Sequence, residues 1–352
     1  MGTIVWLTGI SGAGRNSYAN ECREASVAAG RTCRVIDVGE LLDQVPANLR
    51  VGLNSTELLD GNEDLLRLHR MIALNQLKQQ LENAPEDLVI VSTHACFMRR
   101  GRMMSGWDMG FIKEHLAGKI DVLATIIHDC HDIWLELDSR PEWQGHLNLA
   151  EVAIWRDFET FLTKMLAEYE GKPFYLLARR DPATALTLLA SPQPSPSIYL
   201  SYPITAIQAT HPELLEEAGS LAETLREAGF VVFNPLSIKD VPGTRAAAGV
   251  AAQVPQEMED TAKLYLDSQT ISRDLQLIDQ ATMVVVYYPT DKVSPGVFTE
   301  MSHARDRRKP LFLCRFPGAP ASVSPFLGLF YTEAFESTEG MVTELKDRYI
   351  QG

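Results

Sequence analysis

Three prolines at alternate positions, in Ala190-Ser-Pro-Gln-Pro-Ser-Pro-Ser197, divide the 352-residue chain. Each proline fixes φ and removes an amide donor, so neither a helix nor a central strand runs through such a stretch. Residues 191–197 therefore read as a semi-rigid extended linker between two domains, 1–190 and 198–352. The length agrees, because one hydrophobic core rarely serves a chain of this size. All five tryptophans (Trp6, Trp107, Trp134, Trp143 and Trp155) precede the linker. There is no fixed-period repeat. Each half opens on a short apolar strand and then alternates helices with strands, the pattern of α/β layering on a parallel sheet.

In the first half the expected strands are Thr3–Leu7, Cys33–Val38, Leu88–Ser92, Val122–Ile127 and Phe174–Leu177, with a helix from about Asn62 to Glu82. In the second half they are Ile198–Leu200, Phe230–Phe233, Met283–Tyr288 and Leu311–Cys314. A helix after Pro212 carries Leu214, Leu215, Ala218, Leu221, Ala222 and Leu225 on one face. Thr210-x-x-Glu213 reads as its capping box and Gly229 as its stop. The stretch Val241–Gln256, rich in alanine, reads either as a lid over a site or as a surface insertion.

Composition narrows the function. A formal net charge of −14 argues against a broad nucleic-acid or anionic-membrane surface. No apolar run is long enough to cross a bilayer. Five scattered cysteines, odd in number and without a C-x-x-C pair, read as reduced thiols and point to the cytoplasm.

Strand Thr3–Leu7 leads into Gly9-Ile-Ser-Gly12-Ala-Gly14-Arg15-Asn16-Ser17. A strand, a glycine turn and a helix start bring successive amides and the helix dipole to bear on one anion. The spacing is that of G-x-x-x-x-G-K-[ST], with Arg15 for the lysine and Asn16 for the hydroxyl residue. Gly9, Gly12, Gly14, Arg15, Asn16 and Ser17 are thus the candidate nucleotide contacts. With Val35-Ile-Asp-Val-Gly-Glu-Leu-Leu42 and Val89-Ile-Val-Ser-Thr-His-Ala95, the region resembles the adenylate-kinase-like P-loop nucleotide kinases over residues 1–185. The resemblance implies ATP and Mg²⁺ at the loop. Three departures weaken phosphoryl transfer: the loop substitutions, Ser92 where the kinases carry an aspartate, and a lid poor in arginine around Arg140. Nucleotide binding, sensing or a kinase all stay open.

The second half carries a carboxylate in a telling place. Strand Met283–Tyr288 runs into a turn, then Ser294-Pro-Gly296-Val-Phe-Thr-Glu300, then a helix. Open α/β sheets bind ligands over the carboxyl ends of their strands. Glu300 falls near the helix start, whose dipole is expected to favour its ionised form. A carboxylate there suits glycosyl-bond cleavage, by attack on an anomeric carbon or by stabilising an oxocarbenium ion. With the strand Ile198-Tyr199-Leu200-Ser201, Gly229-Phe-Val-Val-Phe233-Asn-Pro235 and Asp274-Leu-Gln-Leu-Ile278, residues 197–315 resemble the nucleoside 2-deoxyribosyltransferases. The form of the Ser294–Glu300 turn is nearest the branch that hydrolyses nucleoside 5′-monophosphates. The resemblance implies a smaller Rossmann-like, flavodoxin-like domain, with Glu300 as nucleophile, Asp274 near base and ribose, and Tyr199 orienting Glu300. It also implies Ser294 and Gly296 at the 5′-phosphate, and Ser201 on the first-strand turn as a substrate contact. A small-molecule nucleotide substrate, no cofactor for the cleavage and a homo-oligomer follow from it as well. The rival reading is a nucleotide kinase or sensing module whose second domain only binds ligand, and NAD⁺ is a further candidate substrate.

Two other groups draw notice. His128-Asp-Cys-His131-Asp132 sets two histidines three residues apart, either a partial metal site or a strand end. His94 reads as a nucleotide contact or a helix cap, and His303 as a general acid or a plain helix-surface histidine.

Overall fold

The computed structural model describes residues 2–45, 63–99, 101–240, 254–290, 294–315 and 325–351. The chain is α/β and divides into two compact units. The first comprises Met1–Pro192 with Ala251–Gln269, the second Gln193–Val250 with Thr270–Gly352. The expected contiguous domain 198–352 is therefore interrupted. The physical reason is apolar: Val254, Ala262 and Leu266 are buried in a core of the first unit with Trp155, Ile133 and Leu137.

The first unit holds strands β1 (Thr3–Thr8), β2 (Cys33–Asp37), β3 (Leu88–Ser92), β4 (Cys96–Arg99), β5 (Arg102–Ser105), β6 (Val122–Ile127) and β7 (Phe174–Ala178). Its helices are α1 (Arg15–Ala28), α2 (Val38–Asp43), α3 (Glu63–Glu82), α4 (Cys130–Asp138), α5 (Leu149–Glu170) and α6 (Thr184–Leu189). A parallel sheet runs in the order β2-β3-β1-β6-β7, with β1 in register against β3 (Val5↔Ile90) and β6 (Val5↔Val122). Strands β3 and β6 are buried on both faces, which is why they read as unbroken Val/Ile/Leu runs. The β4–β5 hairpin is antiparallel and separate from the sheet.

The second unit holds β8 (Ser197–Ser201), β9 (Val231–Phe233), β10 (Met283–Tyr288), β11 (Leu311–Arg315) and β12 (Glu333–Phe335). Its helices are α7 (Ile204–Thr210), α8 (Glu213–Glu227), the later part of α9 (Gln256–Gln280), α10 (Pro295–Asp306) and α11 (Thr338–Tyr349). The sheet is parallel, in the order β12-β11-β10-β8-β9. Counted within the unit this is the doubly wound order 2-1-3-4-5, whose direction reverses between β8 and β10. The reversal opens a crevice at the carboxyl ends of those strands. The core beneath joins Ile198, Leu200, Leu221, Leu225, Val285 and Phe312.

The capping box expected at Thr210 is absent. Thr210 is the last residue of α7, and α8 starts after Pro212 with no side-chain cap. Glu213 instead meets the His211 ring at 3.0 Å. Gly229 does stop α8, at φ 105°, with its amide on the Arg226 carbonyl. Residues 241–253 of the stretch expected as lid or insertion lie outside the described residues. Among the described residues no helix is long and apolar enough to cross a membrane.

Candidate functional site

The second unit's crevice is built from the last residues of β8. Alternation along a strand puts Tyr199 and Ser201 on the same face. Tyr199 Oη donates to Glu300 Oε1 at 2.9 Å, and Ser201 Oγ donates to Oε2 at 2.5 Å. Each carboxylate oxygen is thus held by one hydroxyl from the same strand, and the group cannot rotate without breaking both bonds. Burial raises the Tyr199 phenol well above its ordinary value, as do the Glu300 and Asp274 charges, so Tyr199 stays a donor.

Glu300 is the sixth residue of α10, in its second turn, and Ser294 is the N-cap. The dipole fades beyond the first turn. Contrary to the expected stabilisation of the anion, the Glu300 carboxyl is pushed up to about 7, first by burial and then by the nearby Asp274 charge. The Ser201 and Tyr199 hydrogen bonds oppose that rise without cancelling it. Asp274, on α9, accepts from Arg273 Nε at 3.0 Å and Nη2 at 2.9 Å. Burial raises its carboxyl too, against the pull of Arg273. Glu300, with its carboxyl raised to about 7, thus stands beside a second carboxyl that is tied to a buried arginine.

Ser294 has structural duties: its Oγ accepts from the Val297 amide at 3.4 Å and its own amide donates to Tyr288 Oη at 3.1 Å. Gly296 lies next to it in the first turn of α10. A Cβ there would meet only Ser294 Oγ, at 3.9 Å, so the fold itself does not demand glycine. Sequence reasoning missed Arg273, and also Tyr202, whose Oη donates to Asn234 Oδ1 at 2.7 Å at the end of β9. Burial raises the Tyr202 phenol, and the Glu300 and Asp274 charges add to the rise. Asn234 before Pro235 was a legible turn signal; Arg273 had none. His303 is held by Asp279 at 2.7 Å.

In the first unit the glycine loop joins β1 to α1. Gly14 caps α1 at φ 74°, and a Cβ there would lie 2.7 Å from Arg179 Nε. Only glycine meets both demands. The loop lines a cleft of about 630 Å³ with Ser11, Asn16, Ser17, His94, His128 and Arg140. The loop arginine turns away from the position a phosphate-binding lysine would take. Arg15 Nε donates to Ser92 Oγ at 2.7 Å, and Nη1 donates to the Gly9 and Thr93 carbonyls at 3.0 and 2.8 Å. Asn16 Oδ1 accepts from Ser92 Oγ at 2.5 Å, and its Nδ2 donates to Asp37 Oδ2 at 2.6 Å. Burial depresses His94 well below its ordinary value, with the Arg15 charge adding to it, so the ring is neutral.

One residue under this loop carried no sequence signal. Glu159, fully buried on α5, accepts from the amides of Gly9 (3.0 Å), Ala95 (2.8 Å) and Cys96 (2.8 Å). It ties the loop to the segment after β3. The two histidines weighed as metal ligands part company: His131 bonds Glu259 at 2.7 Å. His128 gathers instead with Asp129 and Asp132, and Arg180 Nη2 bonds both aspartates, at 2.7 and 2.9 Å.

No protein-family model matches the chain, and comparison with curated proteins gives no match. Among solved structures the chain is similar to a 2-deoxyribosyltransferase from Bacillus psychrosaccharolyticus, at TM-score 0.31 and 16% identity over 42% of this chain and 90% of that one. It is similar to a Clostridium botulinum CMP N-glycosidase at TM-score 0.25 and 16% identity, over 44% of this chain and 99% of that one. A shikimate kinase from Bacteroides thetaiotaomicron is similar at TM-score 0.31 and 18% identity, over 51% of this chain and 88% of that one.

Proposed function

We propose that the second unit is an N-glycosidase that cleaves the base–sugar bond of a nucleoside 5′-monophosphate or nucleoside, with Glu300 as nucleophile. The observation that carries this reading is the two-point hold on Glu300 by Tyr199 and Ser201 at the strand-order reversal, beside Asp274. An ionised Glu300 oxygen attacks C1′ and the C1′–N bond breaks. The bonding pair leaves with the base, which takes a proton from solvent, while the Asp274 carboxylate serves to position base and ribose. Water then adds at C1′, loses its proton to the Asp274 carboxylate, and frees Glu300. The Gly296 amide and the Ser294 hydroxyl, at the start of α10, are suited to a 5′-phosphate. The first unit contributes an anion-binding glycine loop for a nucleotide.

The test is chromatographic detection of free base from a panel of ribo- and deoxyribonucleoside monophosphates, nucleosides and NAD⁺. Base release from at least one member is expected, and the panel names the substrate. Because Glu300 must be ionised to attack and its carboxyl sits at about 7, kcat/KM should fall as pH drops through about 7. A rate that stays level down to about pH 5 would contradict the raised Glu300 carboxyl, since a carboxylate with an ordinary value is still ionised there.

A further inference from the structure

We propose that the first unit binds a nucleoside 5′-monophosphate without a divalent cation, its phosphate on the glycine loop and its ring in a second chamber beside it. This rests on reading the loop as a phosphate site. The cleft over the loop, of about 630 Å³, adjoins a pocket of about 330 Å³. Ser11, His94 and Arg140 line both, so one ligand can run from the first into the second. The second chamber has the make-up of a small-molecule site, with apolar and aromatic walls and a few polar groups. Leu66, Leu74, Phe97 and Trp143 supply the walls, and Asp37 and Glu142 are among the polar groups that line them. The His94 and Phe97 rings lie 4.8 Å apart, and the Arg70 guanidinium lies 5.6 Å from the Phe97 centroid.

The Mg²⁺ implied by the kinase resemblance does not fit this donor set. A metal at the loop would draw oxygen ligands from Asn16 and Asp37 or from the cleft's Asp132 and Glu136, and the last two are held by Arg180 at 2.9 Å and Arg140 at 2.7 Å. Asn16 Oδ1 already accepts from Ser92 Oγ, and from Arg15 Nε at 3.3 Å, which sets a guanidinium charge against any cation. Asp37 Oδ2 and Oδ1 accept from Asn16 Nδ2 and the Gly39 amide. The charges lining the cleft say which anion suits it. Arg15 points away, Arg140 and Arg179 are paired with Glu136 and Glu21, Asp132 is paired with Arg180, and His94 is neutral. With its charges so paired, the cleft offers mainly the loop amides, which suit the modest charge of a phosphate monoester, about −1.5 to −2. A triphosphate, normally carried with Mg²⁺, leaves most of its charge unmatched.

The experiment uses the full chain carrying Glu300→Gln, so that ligand is not turned over. Every tryptophan lies in the first unit, so intrinsic fluorescence reports on ligands there. Titrants are nucleoside monophosphates, the matching nucleosides, ribose 5-phosphate, inorganic phosphate and ATP, each in Mg²⁺ and in EDTA. At least one monophosphate should change the fluorescence with equal affinity in both buffers, at least about tenfold tighter than its nucleoside or inorganic phosphate. Arg140→Ala, which removes only a Glu136 contact at 2.7 Å on an exposed side chain, should weaken it by about tenfold, and Phe97→Leu should weaken the monophosphate but not phosphate. Preference for ATP with Mg²⁺ would overturn the proposal and leave the loop as a phosphate site. Ribose 5-phosphate matching the nucleotide, or indifference to Arg140→Ala, would also overturn it. If no phosphate compound acts on the fluorescence, the reading of the loop falls with it.

Discussion

Replacing Glu300 by glutamine is expected to lower base release by about four orders of magnitude and, at mildly alkaline pH, to make the second unit more stable. Glutamine keeps the volume of the side chain, accepts from Tyr199 Oη and can donate to Ser201 Oγ, so the crevice keeps its shape while the nucleophile is lost. The stability gain follows from the perturbed carboxyl. Folding raises it from an ordinary 4.5 to about 7, so the folded state binds the proton more tightly than the unfolded chain. The stabilisation this brings is complete below about pH 4.5 and is lost as pH rises through about 7. Glutamine mimics the protonated form at every pH. Parent and variant should therefore unfold alike near pH 4 and separate by on the order of 2–3 kcal/mol near pH 8, which is several degrees in Tm. Thermal denaturation at the two pH values checks the sign. A variant less stable than the parent at alkaline pH would mean that the hydroxyl bonds outweigh the cost of burying the charge.

Glu159→Ala should destabilise the first unit by about 3–5 kcal/mol. The side chain is fully buried and accepts from three amides that have no other partner in the hydrogen bonds described above: Gly9, Ala95 and Cys96. Truncation leaves these donors unsatisfied, and each buried orphan costs about 1–3 kcal/mol. It also removes the counter-charge that favours the Arg15 guanidinium, whose burial otherwise depresses it. Denaturant titration followed by tryptophan fluorescence reads the loss. Glu159→Gln should cost less, because its carbonyl serves the Gly9 and Ala95 amides while only the Cys96 contact turns repulsive. Equal costs for the two variants would point to the lost negative charge in place of the lost hydrogen bonds.

The parallel strands were legible because burial on both faces leaves a run of apolar residues between turns, as in Leu88–Ser92 and Val122–Ile127. The hairpin Cys96–Ser105 was not, since half of it is solvent-facing and its Arg, Met and Ser residues follow no alternation. Strand Glu333–Phe335 has three residues, too few to show a period. Helix Ile204–Thr210 sits between Pro203 and Pro212, and the two prolines hid it behind a false cap. At the candidate site, the residues singled out by resemblance, Tyr199, Ser201 and Glu300, are those that the structure brings into contact. The protonation of Glu300 was not legible: position along a helix can be counted, but desolvation depends on what packs around the group. Glu159 was invisible for a related reason. Its partners are 150, 64 and 63 residues away, and on α5 it reads as one more charge in an amphipathic helix. Arg15 looked like a stand-in phosphate cation, yet its donors turn to the carbonyls of Gly9 and Thr93.

The central claim is that the Glu300 carboxylate attacks C1′. A 2′-fluoro analogue of whichever nucleotide releases its base slows hydrolysis of a glycosyl-enzyme, because fluorine destabilises the cationic transition state on both sides of it. Incubation with that analogue, followed by digestion and mass spectrometry, should find the fluorinated sugar esterified to Glu300 and absent from Glu300→Gln. Base released in amounts equal to or above the protein, with the adduct on another residue or on none, would contradict the account.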